Sequence, residues 1–511
     1  MILRKGQIQL KEFVSILGDK TELEIDADTM KHVESSFLFL EAFASDKIIY
    51  GINTGFGPMA QYRVKDEERN ELQYNLIRSH ATGMGNPLPE LHCRAALLSR
   101  LNTLLLGYSG IHPLVIELMV DLLNKNITPV LYEHGGVGAS GDLVQLAHMA
   151  LALLGEGEVY FDGKIEDAGS VYSELKISPM KIHIREGLAI MNGTSCMTGI
   201  GMLNIEESRR LLSLSVSFSS VLNEILGTFE DHYSEVLNTT KRHGGQQKVA
   251  EIMRMRLENS SLIKQRANHL YNGKLSDEVF KDKVQEYYSI RCVPQILGPV
   301  LDTILYAESV LINELNSAND NPIIDVASKN VYHGGNFHGD YVSLEMDKLR
   351  ISVTKLSMLL ERQLNYLLND KLNHILTPFL NLGKLGFNFG LQGMQFTAVS
   401  TVAENQTLSY PMYLHSIPNN NDNQDIVSMG CNASWLTSKV IDNTFDVMSV
   451  YAYAMVYAVE QLKILERLST ENRKLIEEML TLVEVQVTDK PAYNHLKRLK
   501  KYLKTEMSVE I

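Results

Sequence analysis

Apolar residues recur at three- and four-residue spacing through most of the chain, the period of one helix face. The pattern predicts helices over residues 92–107, 112–124, 142–154, 199–227, 297–317, 341–369 and 436–468. Within 343–367 the apolar set includes Leu344, Met346, Leu349, Ile351, Leu356, Leu359, Leu360, Leu364 and Leu367, with charged residues mostly between them. A helix of that length exceeds the globular average and predicts a long bundle. Strand signals are few and short, at 47–50, 158–161 and 181–184. The last two flank a turn-rich segment and predict a small satellite sheet. The expected fold class is therefore mainly α, a long central helical bundle with a smaller mixed N-terminal region.

That pattern shifts near 195–200, where mixed structure gives way to long helices. It predicts an N-terminal region over 1–197, a long-helix bundle over 198–468 and a charged helical tail over 469–511. Residues 228–290 are polar and richly charged between apolar helices, and connections that long are functional or carry helices of their own. The basic run Lys497-Arg-Leu-Lys-Lys reads as a solvated helix face.

Composition narrows the classes. The 511 residues are 45% hydrophobic and 21% charged, a globular balance. A formal net charge of −13 argues against nucleic acid and anionic membrane as partners. The most apolar stretch, around 447–459, is too short for a membrane span. The four cysteines, Cys93, Cys196, Cys292 and Cys431, lie far apart without paired spacing and read as reduced, mostly buried thiols. With no secretory signal at the N-terminus, the expected location is the cytoplasm.

One stretch carries unusual chemistry. In Gly135-Gly-Val-Gly-Ala-Ser-Gly-Asp142 small residues surround a single serine just before a helix. It fits neither the phosphate-loop nor the dinucleotide fingerprint. As a glycine-rich turn with Asp142 near the N-cap it is ordinary. The second reading is a backbone that cyclises. The amide nitrogen of Gly141 attacks the carbonyl carbon of Ala139, and loss of two waters, including the Ser140 hydroxyl, leaves a methylidene-imidazolone (MIO). A side chain at 141 would obstruct that approach.

Further segments each admit a plain and a chemical reading. Tyr50 opens a glycine-rich loop ending at Gly57; it is a core tyrosine or a general acid or base. Ser79-His80 is structural, or His80 faces a polar ligand tip. Met191-Asn192-Gly-Thr194 is a helix start or a polar turn at a site. In Gln285-Glu-Tyr-Tyr288-Ser-Ile-Arg291 an arginine among apolar residues pairs internally, or its fork captures a substrate carboxylate. His333 and His338 flank Phe337 but lack a third ligand at helix spacing, which disfavours a metal. The run containing Asn420, Asn423 and Gln424 reads equally well as a turn.

Taken together, the segments resemble the aromatic amino acid ammonia-lyase family, with its histidine, phenylalanine and tyrosine ammonia-lyases and related aminomutases. The resemblance covers roughly residues 5–470. It rests on Tyr50-Gly-x-Asn-Thr-Gly-Phe-Gly57, Gly138-Ala-Ser-Gly-Asp-Leu143, Asn192-Gly-Thr, Tyr288-Ser-x-Arg291, Asn319-Asp-Asn-Pro322, Gly335-Asn-Phe-His338 and Asn423-Gln-Asp.

The resemblance implies an MIO made autocatalytically from Ala139, Ser140 and Gly141, with no metal or dissociable cofactor. It implies a homotetramer whose active sites draw on more than one chain, and 228–290 as a mobile segment near the site. Tyr50 would take the β-hydrogen, which requires donors or positive charge beside its oxygen. Arg291 would hold the substrate carboxylate; Asn192 and Tyr288 would position the ring and the amino group. Phe337 would pack beside the ring, Leu143 and Gly57 would line the flat part of the aryl-ring pocket, and Ser79, Gln285, Asn420 and Asn423 complete the expected site. Histidine ammonia-lyases resemble the chain at Ser79-His80 but carry glutamate where Gln424 stands. The tyrosine and phenylalanine enzymes resemble it at Gln424, and His80 suits a phenol hydroxyl. The expectation is therefore L-tyrosine, converted to trans-p-coumarate and ammonia, with L-phenylalanine weaker. The alternatives are a histidine ammonia-lyase giving urocanate, and an aromatic 2,3-aminomutase.

Overall fold

All seven predicted helices form, with ends displaced by a few residues. In the computed structural model, which describes residues 1–18, 22–271, 278–280 and 283–507, they run over Glu90–Leu105, Pro113–Asn124, Leu143–Leu153, Ser195–Leu226, Val293–Leu315, Asp340–Leu368 and Gly430–Leu462. The last ends earlier than the periodicity suggests, because Lys463 adopts a left-handed φ of 51°. Along Asp340–Leu368 the buried positions include Val342, Met346, Leu349, Val353, Leu356, Leu360, Leu364 and Leu367, the expected stripe; Leu344 and Ile351 lie outside it and are exposed.

Only one of the three predicted strands forms. Glu158–Phe161 pairs antiparallel with Lys164–Asp167 across Asp162-Gly163, both at positive φ, as a two-residue hairpin requires. Its other edge pairs with Thr128–Pro129 rather than with 181–184. Side chains have taken the backbone donors at the other two segments. Glu186 Oε2 accepts the amides of His183, Ile184 and Arg185 at 2.8, 2.9 and 3.2 Å. At 47–50, Asn53 Oδ1 takes the Ile49 amide (2.9 Å) and His333 Nε2 the Tyr50 amide (3.3 Å). These side-chain contacts stand where a strand ladder would need the same donors.

The chain folds into two compact units, each built from three separate stretches. The first comprises Met1–Glu206, Ala307–Asp347 and Pro411–Ser438. Part of its core packs Phe37, Leu40, Ile49, Ile52 and Ile324 together. The second comprises Glu207–Tyr306, Lys348–Tyr410 and Lys439–Ile511. Here the 228–290 segment carries short helices, Gly244–Arg256 the longest of them; its residues 272–277, 281 and 282 lie outside the described residues. The basic run near the C-terminus is more than a solvated face. Leu499 and Leu503 are fully buried, while Lys500 pairs with Asp442 and Asp446, and Lys504 with Asp442 and Glu207.

Among the described residues one helix is long and apolar enough to cross a membrane, Val293–Leu315, not the 447–459 stretch. It carries Asp302, Glu308 and Glu314, and acidic side chains are expensive in hydrocarbon.

Candidate active site

The loop 135–142 sits in the first unit, pressed against a second loop. Gly141 has a φ of 72° and bridges Gly193. A Cβ at 141 would lie 1.9 Å from the Gly193 carbonyl oxygen, and the Asp142 amide donates to that same oxygen at 2.8 Å. Glycine is thus required at 141, and the obstruction comes from the Gly193 backbone.

Other contacts fix the rest of the loop. The Gly138 carbonyl accepts from the Gly339 amide (3.0 Å) and the Ser428 hydroxyl (2.9 Å), and the Val137 carbonyl from the Met429 amide (2.9 Å). Asp142 precedes Leu143–Leu153, but its carboxylate does not cap that helix. Its Oδ2 accepts the Met197 amide at 2.8 Å, capping Ser195–Leu226 instead. Four helices therefore begin at or beside the loop, at Leu143, Ser195, Asp340 and Gly430. Their N-terminal ends bring positive potential to it. Burial raises the Asp142 carboxyl to about 7, and the Met197 amide opposes that shift.

Two side-chain amides converge on Ser140. Asn192 Nδ2 donates to its carbonyl oxygen, and Gln424 Nε2 to its hydroxyl oxygen, both at 2.9 Å. Asn192 is placed by the end of the helix Glu186–Met191 and so sits between two helices rather than starting one. Gln424 is placed by the asparagine run, which forms a turn. Asn419 and Gln424 exchange backbone hydrogen bonds (3.2 and 3.3 Å), and Asn420, Asn421 and Asp422 all take left-handed φ values of 53–59°. Short polar side chains tolerate that conformation best. Asn423 is exposed within the turn, while Gln424 is buried.

Tyr50 joins the site through the same turn. Its hydroxyl oxygen accepts the Gly57 amide at 3.0 Å, and its ring meets Phe56 edge-on at 6.0 Å. The Asn420 amide lies 2.8 Å from where a Gly57 Cβ would stand. Gly51 packs on Leu188, one turn before Asn192.

His80 ends the helix Arg69–His80, which packs on Leu143–Leu153 and Glu186–Met191. Its Nδ1 lies 3.0 Å from the Leu76 carbonyl and 3.0 Å from the hydroxyl of exposed Ser79. A carbonyl only accepts, so in the neutral ring the proton sits on Nδ1 and Nε2 is left as an acceptor. Leu143 is half-buried at the start of its helix, and Phe337 is half-buried in the turn three residues before Asp340–Leu368. His333 accepts from the Tyr50 amide, while His338 contacts Asp340 and the Ile426 carbonyl. No group of three potential metal ligands occurs among the described residues.

Gln285, Tyr288 and Arg291 belong to the second unit. Gln285 and Tyr288 are exposed. Arg291 is half-buried rather than buried, and its guanidinium lies over the Tyr288 ring at 4.5 Å. Among the described residues no carboxylate pairs with it.

Sequence reasoning missed a buried charge cluster behind the loop. Arg100, Arg185 and Asp320 are fully buried, with Asp320 Oδ2 3.2 Å from Arg185 Nη1 and 3.9 Å from Arg100 Nη2. A lone arginine inside the apolar run around Leu97–Leu105 was the available signal. It also missed that Cys196 and Cys431 meet, with sulfurs 3.7 Å apart.

A model of the aromatic amino acid lyase family matches residues 8–481. The chain belongs to that family. It is 38% identical to the tyrosine 2,3-aminomutase of Myxococcus sp. (strain Mx-B0) over 455 residues, covering 87% of this chain and 86% of that one. It is 37% identical to the histidine ammonia-lyase of Bacillus subtilis (strain 168) over 492 residues, covering 96% and 94%. Among solved structures, the tyrosine aminomutase from Streptomyces globisporus matches with a TM-score of 0.95 at 31% identity, covering all of both chains. This lyase is accordingly a mainly α-helical enzyme acting on a carbon–nitrogen bond. The family uses an MIO formed from its own chain, and the residues here fit that group. Ala139-Ser140-Gly141 is intact, position 141 has no room for a side chain, and a donor is aimed at the Ser140 carbonyl.

Proposed function

We propose that this enzyme eliminates ammonia from L-tyrosine and releases trans-p-coumarate, with L-phenylalanine a weaker substrate. The observation that carries the reading is the Gln424 amide 2.9 Å from the Ser140 hydroxyl. It puts a neutral donor beside the electrophile, where a histidine-directed site would call for a carboxylate to hold an imidazolium. The acceptor Nε2 of His80 adds to it, since a phenol hydroxyl is the donor it suits. Relatives named as tyrosine aminomutases support the same amino acid.

Formed from Ala139-Ser140-Gly141, the MIO supplies an electrophile that turns the substrate amine into a better leaving group. Tyr50 takes the β-hydrogen, with the Gly57 amide donating to its oxygen. Arg291 holds the substrate carboxylate, Gln285 takes part in binding the substrate, and Tyr288 orients the amino group. Asn192 steadies the Ser140 carbonyl. Gly57, Ser79, Leu143, Phe337, Asn420 and Asn423 shape the aryl pocket. The family resemblance supports a homotetramer with shared sites.

A second reading is the 2,3-aminomutase, favoured by the Myxococcus and Streptomyces relatives. It shares the elimination and differs in returning ammonia to the β-carbon. Incubation with L-tyrosine, L-phenylalanine and L-histidine, with ammonia, p-coumarate and β-tyrosine quantified, separates the outcomes. The expected result is p-coumarate with equimolar ammonia. Predominant β-tyrosine establishes the mutase, and faster ammonia release from histidine overturns the tyrosine reading.

A further inference from the structure

Behind the site stands a layer of charge for which the elimination has no direct use. Gly193 has a φ of 153°, and its backbone oxygen, carbon and nitrogen lie 1.9, 2.3 and 2.6 Å from where a Gly141 Cβ would stand. The place of Gly193's own side chain is taken in turn: Arg100 Nη1 lies 2.1 Å and Asn319 Oδ1 2.6 Å from that point. Two glycine backbones are thus pressed together with a guanidinium directly behind them.

That guanidinium is bound on both sides of the Gly193 turn. Nη2 donates to the Ala189 carbonyl, in the helix before the turn. Nη1 donates to Asn319 Oδ1 at 3.0 Å and to the Ser195 hydroxyl at 3.4 Å, the first residue of the helix after it. Asp320 Oδ2 lies 3.9 Å from Nη2 and is itself held by Arg185. Burial pulls the Arg100 guanidinium down to about 10, with Asp320 opposing, so it is charged at neutral pH. Apolar packing of similar volume is often as stable as buried charges or more so, so this cluster is weak evidence of a stabilising role.

We propose that Arg100 is a positioning residue for ring formation, clamping the Gly193 turn so that its backbone holds Gly141 in the closing geometry. The inference rests on the reading that Ala139-Ser140-Gly141 becomes the MIO. In that closure the Gly141 nitrogen bonds to the Ala139 carbonyl carbon. The Ala139 oxygen leaves as water with the amide protons of Gly141 and Ser140, and a carbon–nitrogen double bond forms. The Ser140 hydroxyl leaves as a second water with the Ser140 α-proton. No oxidant is needed. Closure requires the Gly141 nitrogen held against the Ala139 carbon; Arg100 acts on that approach through the Gly193 backbone, and its charge also reaches Asp142 beside Gly141.

Geometry rather than charge is the essential property, because only a planar fork reaches both flanks of the turn. The test compares the full-length chain with Arg100→Lys, Arg100→Met and Ser140→Ala by intact mass, with circular dichroism and thermal melting on the same samples. The unaltered chain should be lighter than its sequence by two waters, and Ser140→Ala should lack that loss. Arg100→Lys and Arg100→Met should fold with unaltered helix content yet remain mostly at full mass. Complete dehydration in both overturns the proposal. If Arg100→Met fails to fold, Arg100→Lys decides alone, by the same criterion. If the unaltered chain itself stands at full mass, the underlying ring reading falls, and that outcome is distinct from a failure of Arg100.

Discussion

Asn192 Nδ2 donates to the carbonyl oxygen of Ser140 at 2.9 Å, holding in place the one carbonyl that conjugates with the proposed electrophile. With the ring formed there, an engaging amine would move negative charge toward that oxygen, and the Asn192 hydrogen bond would be stronger in the transition state than before it. Asn192→Ala should lower kcat by about 10²- to 10³-fold, the loss typical of a removed oxyanion donor. Steady-state kinetics check this, normalised to the dehydrated fraction by intact mass. An unchanged kcat at full dehydration would remove Asn192 from the role.

Gln424 makes a second prediction, about substrate. Replacing its amide with a carboxylate supplies a partner for an imidazolium ring and removes a donor from the Ser140 side. Gln424→Glu should raise the histidine-to-tyrosine ratio of kcat/KM on the order of tenfold or more, as charge-assisted pairing replaces a neutral contact. A ratio that stays put means that Gln424 does not read the aryl group.

His80 is tested by the opposite change. Its Nδ1 is occupied by the Leu76 carbonyl, so only Nε2 is open to a substrate. His80→Phe removes that acceptor while keeping an aromatic ring. The tyrosine-to-phenylalanine ratio of kcat/KM should fall on the order of tenfold or more, since an unpaired phenol is then buried. Equal losses on both substrates would point to packing instead.

How much of this was legible in the sequence follows from which forces are local. Helix periodicity is written in adjacent residues, so the long helices and the buried stripe of Asp340–Leu368 could be read directly. The segments at 47–50 and 181–184 were misread because Asn53, His333 and Glu186 claimed their amides, and the His333 contact spans much of the chain. Motif chemistry exposed Ser140, Asn192 and Gln424 as candidates, but not that both amides would meet on one serine. Arg100 escaped notice because its partners, Asn319 and Asp320, lie more than two hundred residues away. Its sequence context, an apolar helix, spoke only of packing.

The C-terminal helix Tyr493–Lys501 and the turn after it should stabilise the second unit rather than decorate it. Leu503 is fully buried, and Arg210 donates to its carbonyl at 3.3 Å. Leu503→Ala should cost about 2–5 kcal/mol, the range for truncating a core leucine. Chemical denaturation would measure it. A cost below about 0.5 kcal/mol, the scatter of surface substitutions, would mean that the tail is merely laid on the surface.

Asp142 should give the enzyme a stability that falls with rising pH. Its carboxyl, ordinarily at 3.8, is raised by burial to about 7, with Glu314 adding to the rise and the Met197 and Cys196 amides and the Arg100 charge opposing it. Between those values the native state retains a proton that the unfolded chain has released. Unfolding then releases a proton, and the sign of the linkage is negative: stability declines as pH rises. The contribution is complete below about pH 4, is lost progressively toward pH 7, and is level above it. Asp142→Asn keeps an oxygen for the Met197 amide but has no proton to lose. Plotted as the difference in Tm between unaltered enzyme and variant, the curve should slope downward from pH 4 to pH 7 and then flatten. Parallel Tm profiles across that window would show that Asp142 does not carry the proton, and an upward slope would show a carboxylate held ionised by the Met197 amide and Arg100.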